Sequence, residues 1–323
     1  MKVALIGLGG MGGCHYGIYN ETEGVEIVAL VDAEYDRVAN KSAECGARAY
    51  TEINEMLERE SPDIVDICTP SYLHRAHAVA AMGKGINVIT EKPAALRLAD
   101  VEAMFESAKT NDVMFMTAQV IRFWPEYVWL KNAVESGEYG SLINLDMWRF
   151  GERPLWSWRD WMNDYEKSGL VAFDLHIHDV DFLIYLLGEP NEPVLLEYNG
   201  KNAHVVETAC QFGKTAARAR AAWHNARVPF QMGYEALFEG GCAIFRNDKL
   251  TFYPNKAEPF EPPVISELTG SGINVANTSG YRNELLYFIE CVKTGKPPEI
   301  IKKNELLAAL KLLSGYTGRK KMD

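Results

Sequence analysis

"KVALIGLGGMG", residues 2–12, decides the fold. A short apolar run ends at Gly7, and Gly7, Gly9 and Gly12 follow in G-x-G-x-x-G spacing. Such a run suits a central parallel strand covered on both faces. A helix is expected next, to about Asn20, and "GVEIVALVD" (24–32) reads as a second strand closing at Asp32, twenty residues past Gly12. The order is strand, glycine turn, helix, strand, acid. Gly7 allows the tight turn, Gly9 lets backbone N–H groups approach a pyrophosphate, and Gly12 lets helix and strand pack closely. Gly7, Leu8, Gly9, Gly10, Met11 and Gly12 form the candidate cradle. A tight turn with no ligand is the plainer reading of the glycines alone, and the flanking strand and acid argue against it.

Asp32 would accept hydrogen bonds from a ribose and repel a 2′-phosphate. Ala33 and Glu34 follow it, and the nearest cation is Arg37, one helical turn further on. NAD is therefore expected rather than NADP.

The alternation continues. "DIVDICTP" (63–70) reads as a strand stopped by Pro70, followed by a helix to about Lys84. "INVITEKP" (86–93), a helix over 97–111 and the strand "VMFMTAQ" (113–119) complete the pattern. Strand and helix in alternation predict a doubly wound parallel sheet of α/β class, with ligands at the carboxyl ends of the strands. Thr69, Pro70, Glu91 and Lys92 stand at such ends. His74 and His77 lie on the helix after Pro70, and His74 reads either as a helix-surface residue or as a neighbour of the cofactor. Lys92 is either an ordinary surface lysine or, held by the proline after it, a lysine directed into the ligand cleft.

Residues 1–119 thus read as a dinucleotide-binding Rossmann domain and 120–323 as a second, α+β domain. "VIRFWPEYVWL" and "MWRFGERPLWSWRDWM" are rich in aromatics and arginine. They are core, or else a pocket in which a sugar-like ring stacks on a tryptophan such as Trp161. Short alternating segments over 194–253 predict a large, mostly antiparallel sheet. "EPFEPPV" and "TGSGINVANTSG" read as loops, and two helices close the chain.

Within that domain stands "DLHIHDVD" (174–181), three acids and two histidines in eight residues. The surrounding "GLVAFDLHIHDVDFLIYLLGEP" reads as one helix stopped at Gly188 and Pro190. Phe173, Ile177, Val180, Ile184 and Leu187 form an apolar stripe, and Asp174, His178, Asp181 and Tyr185 a polar one. His176 lies elsewhere around the axis, so the two histidines do not converge and no metal is expected. Asp174 and His178, one turn apart, either form a proton-exchanging pair or are a helix cap with solvated acids.

"GLGGMG", "ALVD", "TEKP" and "DLHIHDVD", in this order, resemble the glucose–fructose oxidoreductase, inositol dehydrogenase and rhizopine catabolism protein (Gfo/Idh/MocA) family, and the resemblance extends over nearly the whole chain. It implies that Lys92, Asp174 and His178 serve catalysis and that Arg122 lies by the substrate. It implies hydride transfer between NAD and a cyclic polyol or sugar, such as an inositol. The same resemblance includes glycosidases that use NAD as a transient oxidant, and non-catalytic sugar sensors. Two departures, His176 where the family often has glycine and Leu170 where it has a longer glycine run, bear on which substrate is taken.

Composition narrows the partners. The 323 residues hold 33 basic and 44 acidic side chains, net −11, which disfavours nucleic acid and anionic membranes. No apolar run approaches the ~18 residues of a membrane span. Glycines break the N-terminal apolar run too early for a signal peptide. The six cysteines (14, 45, 68, 210, 242 and 291) form no Cys-x-x-Cys pair and suit reduced, buried thiols in the cytoplasm. Helices can cover only one face of the second-domain sheet, so a homo-oligomer, dimer or tetramer, is expected through the other.

Overall fold

The computed structural model describes residues 1–264 and 279–316. The chain divides into two compact units. Unit 1 starts with β1 (Lys2–Ile6), α1 (Gly10–Glu21), β2 (Glu26–Val31), α2 (Tyr35–Cys45), β3 (Arg48–Tyr50), α3 (Ile53–Arg59) and β4 (Ile64–Ile67). It continues with α4 (His74–Met82), β5 (Asn87–Glu91), α5 (Leu98–Thr110) and β6 (Phe115–Ala118). The six strands are parallel, in the order β3-β2-β1-β4-β5-β6. Val3, Ala4, Leu5, Ile64, Val65, Val88 and Ile89 have no exposed surface, as strands covered on both faces require. Strand order reverses between β1 and β4, so the ligand crevice of such a sheet opens over Gly7 and Thr69.

Unit 2 begins at Ile121. It holds α6 (Pro125–Ser136), β7 (Leu142–Glu152), α7 (Tyr165–Ser168), α8 (Ile177–Leu187), β8 (Asn191–Asn199), β9 (Ala203–Phe212) and β10 (Thr215–His224). β11 (Gln231–Phe238), β12 (Gly241–Arg246) and β13 (Lys249–Pro254) follow. The seven-stranded sheet runs β13-β12-β11-β7-β10-β9-β8, antiparallel except for the β7–β10 pair. Side chains alternate across it. Leu145, Met147, Ala219, Ala221, Val206, Tyr234 and Phe245 are buried on one face. Tyr127 of α6 packs edge-on to Phe182, Tyr234 and Phe245 and centres that core. The fold class is thus a Rossmann sheet plus a mostly antiparallel α+β sheet.

The division corrects the expected boundaries. α9 (Gly280–Thr294) lies in unit 1 rather than in the second domain. It packs on α1, with Leu285, Phe288 and Ile289 buried. Its apolar stripe was legible, but the surface it covers was not. α10 (Lys303–Leu313) lies in unit 2 from Asn304 onward. The "TGSGINVANTSG" loop falls almost wholly outside the described residues. The thiols also depart from expectation: all six are free, but only Cys291 is buried and the other five are half-buried. No helix among the described residues is long and apolar enough to cross a membrane.

Candidate active site

In unit 1 the glycine turn is sterically defined. Gly7 has φ +88°, and a Cβ there would meet the Cys68 carbonyl oxygen at 2.7 Å. A Cβ on Gly12 would sit 1.7 Å from the Gly7 carbonyl oxygen. A Cβ on Gly9 would meet nothing within 4 Å, so the space above the turn is open. Gly9 caps α1 with no side-chain hydrogen bond, which leaves the first N–H groups of the helix, from Gly10 and Met11 on, for an anion. An uncapped helix end beneath open space fits a pyrophosphate.

Asp32 follows β2 and is nearly buried. Its Oδ2 accepts the Leu8 N–H at 2.8 Å and its Oδ1 the Glu34 N–H at 2.9 Å, so the acid also fixes the turn. Each oxygen keeps a lone pair for a ribose hydroxyl. Arg37 is closer than its place in the sequence suggested: its Nη1 stands 3.7 Å from Asp32 Oδ2.

Thr69 and Pro70 follow β4, and Glu91 ends β5 with Lys92 just after it. The Lys92–Pro93 peptide bond is cis. Glu91 is buried and its Oε2 accepts the Lys92 N–H at 3.0 Å. His74 is not a surface residue. It is 1% exposed, and its ring nitrogens face the Pro93 and Thr69 carbonyl oxygens at 2.8 and 2.7 Å. The helix turn after Pro70 carries the ring under both strand ends, where it supports the ligand loops from beneath.

In unit 2 the acids and histidines of 174–181 separate. The helix is irregular at its start: Ala172–His176 forms a π-turn before α8, a distortion often found at functional sites. Asp179 is fully buried and accepts from Arg149 Nη2 at 3.1 Å. Asp181 is also fully buried and takes both Arg122 Nε and Nη2, at 2.8 and 2.7 Å. Burial raises the pKa of both acids, and the guanidiniums oppose that shift. His176 is buried and its Nε2 lies 2.8 Å from Thr208 Oγ1, which contacts the Tyr316 hydroxyl at 2.8 Å. Burial lowers the His176 pKa to about 3, so the ring is neutral. Asp174 and His178 remain half-buried. Trp223, itself buried, donates its indole N–H to Asp174 Oδ2 at 3.2 Å.

The polar stripe expected along the helix is therefore corrected at Asp181, which is an interior ion-pair partner. Arg122 is its partner. Its guanidinium is buried against Asp181 and Glu305 of α10 and stacks 4.4 Å from the Tyr185 ring. Three of its five N–H groups go to these carboxylates, which favours a structural role. Trp161 is half-buried in a short 3-10 turn, Trp158–Asn163, in which Arg159 and Asp160 have positive φ. Trp223 had no sequence signal. Asp66 had one, an acid in the middle of a strand that reads as fully buried. It meets His15 and Cys68, the one group among the described residues with the donor types of a metal site. Neither histidine of 174–181 belongs to it.

Residues 1–119 match the oxidoreductase family with an NAD-binding Rossmann fold, and residues 127–228 match the GFO/IDH/MocA C-terminal domain. A myo-inositol 2-dehydrogenase of Thermotoga maritima is 28% identical over 100% of this chain and 96% of its own length. A 2,7-anhydro-N-acetylneuraminate hydratase of Mediterraneibacter gnavus is 30% identical over 62% of this chain and 53% of its own. A solved levoglucosan dehydrogenase, in complex with NADH and levoglucosan, shares the fold with TM-score 0.81 at 19% identity, over 97% of this chain and 95% of that one. With both domains matched in chain order and a relative spanning the full length, this chain belongs to the Gfo/Idh/MocA family of oxidoreductases with an NAD-binding Rossmann fold.

Proposed function

We propose that this chain is an NAD-dependent dehydrogenase of a cyclic polyol or sugar, of the inositol type, with Lys92, Asp174 and His178 in proton transfer and alkoxide stabilisation. The observation that carries the reading is the division of residues 174–181. Asp179, Asp181 and His176 are fully buried, whereas Asp174 and His178 stay half-buried on one helix. Bound NAD supplies the acceptor for a hydride from the substrate carbon. His178, oriented with Asp174, takes the hydroxyl proton. Lys92 holds the oxygen as negative charge develops on it. Trp161 offers an apolar ring face to the substrate. The myo-inositol 2-dehydrogenase relative supports a polyol substrate.

A screen of inositols and monosaccharides with NAD, followed by NADH absorbance, tests the reading. Growth of absorbance with at least one cyclic polyol is expected. The same screen with NADP is expected to give a lower kcat/KM, because Asp32 opposes a 2′-phosphate. Equal use of NADP would mean that Arg37 outweighs Asp32. A second reading is favoured by the hydratase relative: NAD stays bound, oxidation is transient and elimination follows. Substrate consumption without NADH release would establish that alternative. Neither turnover nor NADH would leave a sensor.

The open sheet face of unit 2 is where two copies meet in this reading. Val194, Leu196 and Tyr198 of β8 are about half exposed, and Leu237 and Tyr253 lie on the same face near the other edge, beyond the Arg218–Asp146 ion pair. Apolar residues gathered on one open face mark a contact surface. Light scattering at micromolar concentration is expected to give a dimer or tetramer, and Leu196→Asp to weaken it. A monomeric wild-type protein would end this part of the reading. The chain is expected to work in the cytoplasm.

A further inference from the structure

Beneath the glycine turn, unit 1 holds a polar cluster that the proposed chemistry does not use. His15 of α1, Asp66 of β4 and Tyr19 of α1 are buried, at 0%, 0% and 1% exposure. His15 Nδ1 lies 2.8 Å from Asp66 Oδ2, and the Tyr19 hydroxyl donates to the same oxygen at 2.8 Å. On the other side of the ring, His15 Nε2 lies 3.4 Å from Glu91 Oε1. The second oxygen of Glu91 accepts the Lys92 N–H. An ion-pair contact, with no hydrogen bond at Nε2, thus links His15 to the carboxylate that holds the Lys92 N–H.

Two buried carboxylates would repel each other and seek solvent without a cation between them. Burial lowers the His15 pKa, but Cys68 and Asp66 beside the ring outweigh it and raise it well above the usual imidazole value. A 2.8 Å separation of Nδ1 and Oδ2 is that of a hydrogen bond.

We propose that His15 is a positioning residue for Lys92: set between Asp66 and Glu91, it holds the Glu91 carboxylate where that group fixes the Lys92 backbone. The proposal rests on the assignment of Lys92 to the chemical step. With His15→Gln, Glu91 loses its cation and turns outward, and the Lys92 N–H is released. Asp66 keeps Tyr19 and the glutamine amide.

Amide hydrogen exchange on the full-length protein reads this directly. In His15→Gln, exchange of the Lys92 amide is expected to quicken at least about tenfold while β1 and β2 keep their protection. The kcat for the polyol identified by the screen is expected to fall by roughly 10- to 100-fold, as for other supporting partners, with KM for NAD within twofold. Glu91→Gln keeps an oxygen for the Lys92 N–H and removes the charge that His15 faces. Adding His15→Gln to it is expected to change neither exchange at Lys92 nor kcat further, because the link is already cut. Unchanged Lys92 exchange in His15→Gln would overturn the proposal. So would additive losses in the double variant, or faster exchange at Lys92 with an unchanged kcat. If the wild-type protein turns over no polyol, the functional reading fails, while Lys92 exchange still decides whether His15 holds its backbone.

Discussion

Lys92→Ala and His178→Ala are each expected to lower kcat by about 10²- to 10⁴-fold, the contribution typical of positioned acid–base groups. Oxidation of an alcohol needs the hydroxyl proton removed as the hydride leaves, and a half-buried imidazole suits that exchange. Both side chains are partly exposed, so neither deletion opens a core cavity. Melting temperature and NAD affinity are expected to stay near the wild-type values. His176→Ala is the control. Its ring is buried against Thr208, so its loss is expected to lower stability and to affect kcat less than His178→Ala does. Steady-state kinetics beside thermal melts separates the two behaviours. Turnover abolished by His176→Ala but kept by His178→Ala would reverse the assignment of roles within residues 174–181.

Arg122→Met is expected to destabilise the protein by about 3–5 kcal/mol, because it strands Asp181 as a buried charge. A drop in melting temperature of roughly 10 °C corresponds to that loss in a unit of this size. Glu305, at 14% side-chain exposure, can turn to water, but Asp181 at 0% cannot. Arg122→Met combined with Asp181→Leu is therefore expected to recover much of the loss, since apolar side chains replace both charges. The pair also tests the role that family resemblance implied for Arg122. A fall in kcat with unchanged stability in Arg122→Met would place the guanidinium at the substrate. A large loss of stability, recovered in the double variant, assigns it to the interior of unit 2.

Which residues of unit 1 form its fold and turn was legible because the physics is local. The apolar runs, the spacing of Gly7, Gly9 and Gly12 and the position of Asp32 are set within one strand–turn–helix–strand unit. The steric demands at Gly7 and Gly12 match that reading. The alternation over 194–253 likewise announced a sheet, since a period of two residues reports which face is covered. Even so, the parallel pairing of β7 with β10 needed register that no local pattern carries.

What only the tertiary structure decided is which polar groups are spent on the interior. Residues 174–181 look alike as a string of acids and histidines. Their fates depend on partners far along the chain: Arg149 is 30 residues from Asp179, Thr208 is 32 from His176, and Arg122 is 59 from Asp181. His74 and His15 are similar cases, each placed by strand ends that the sheet brings together. A charge buried at low dielectric is stable only beside its counter-charge. That pairing is made by packing across the fold, so periodicity located the helix while the fold decided which of its polar residues are buried.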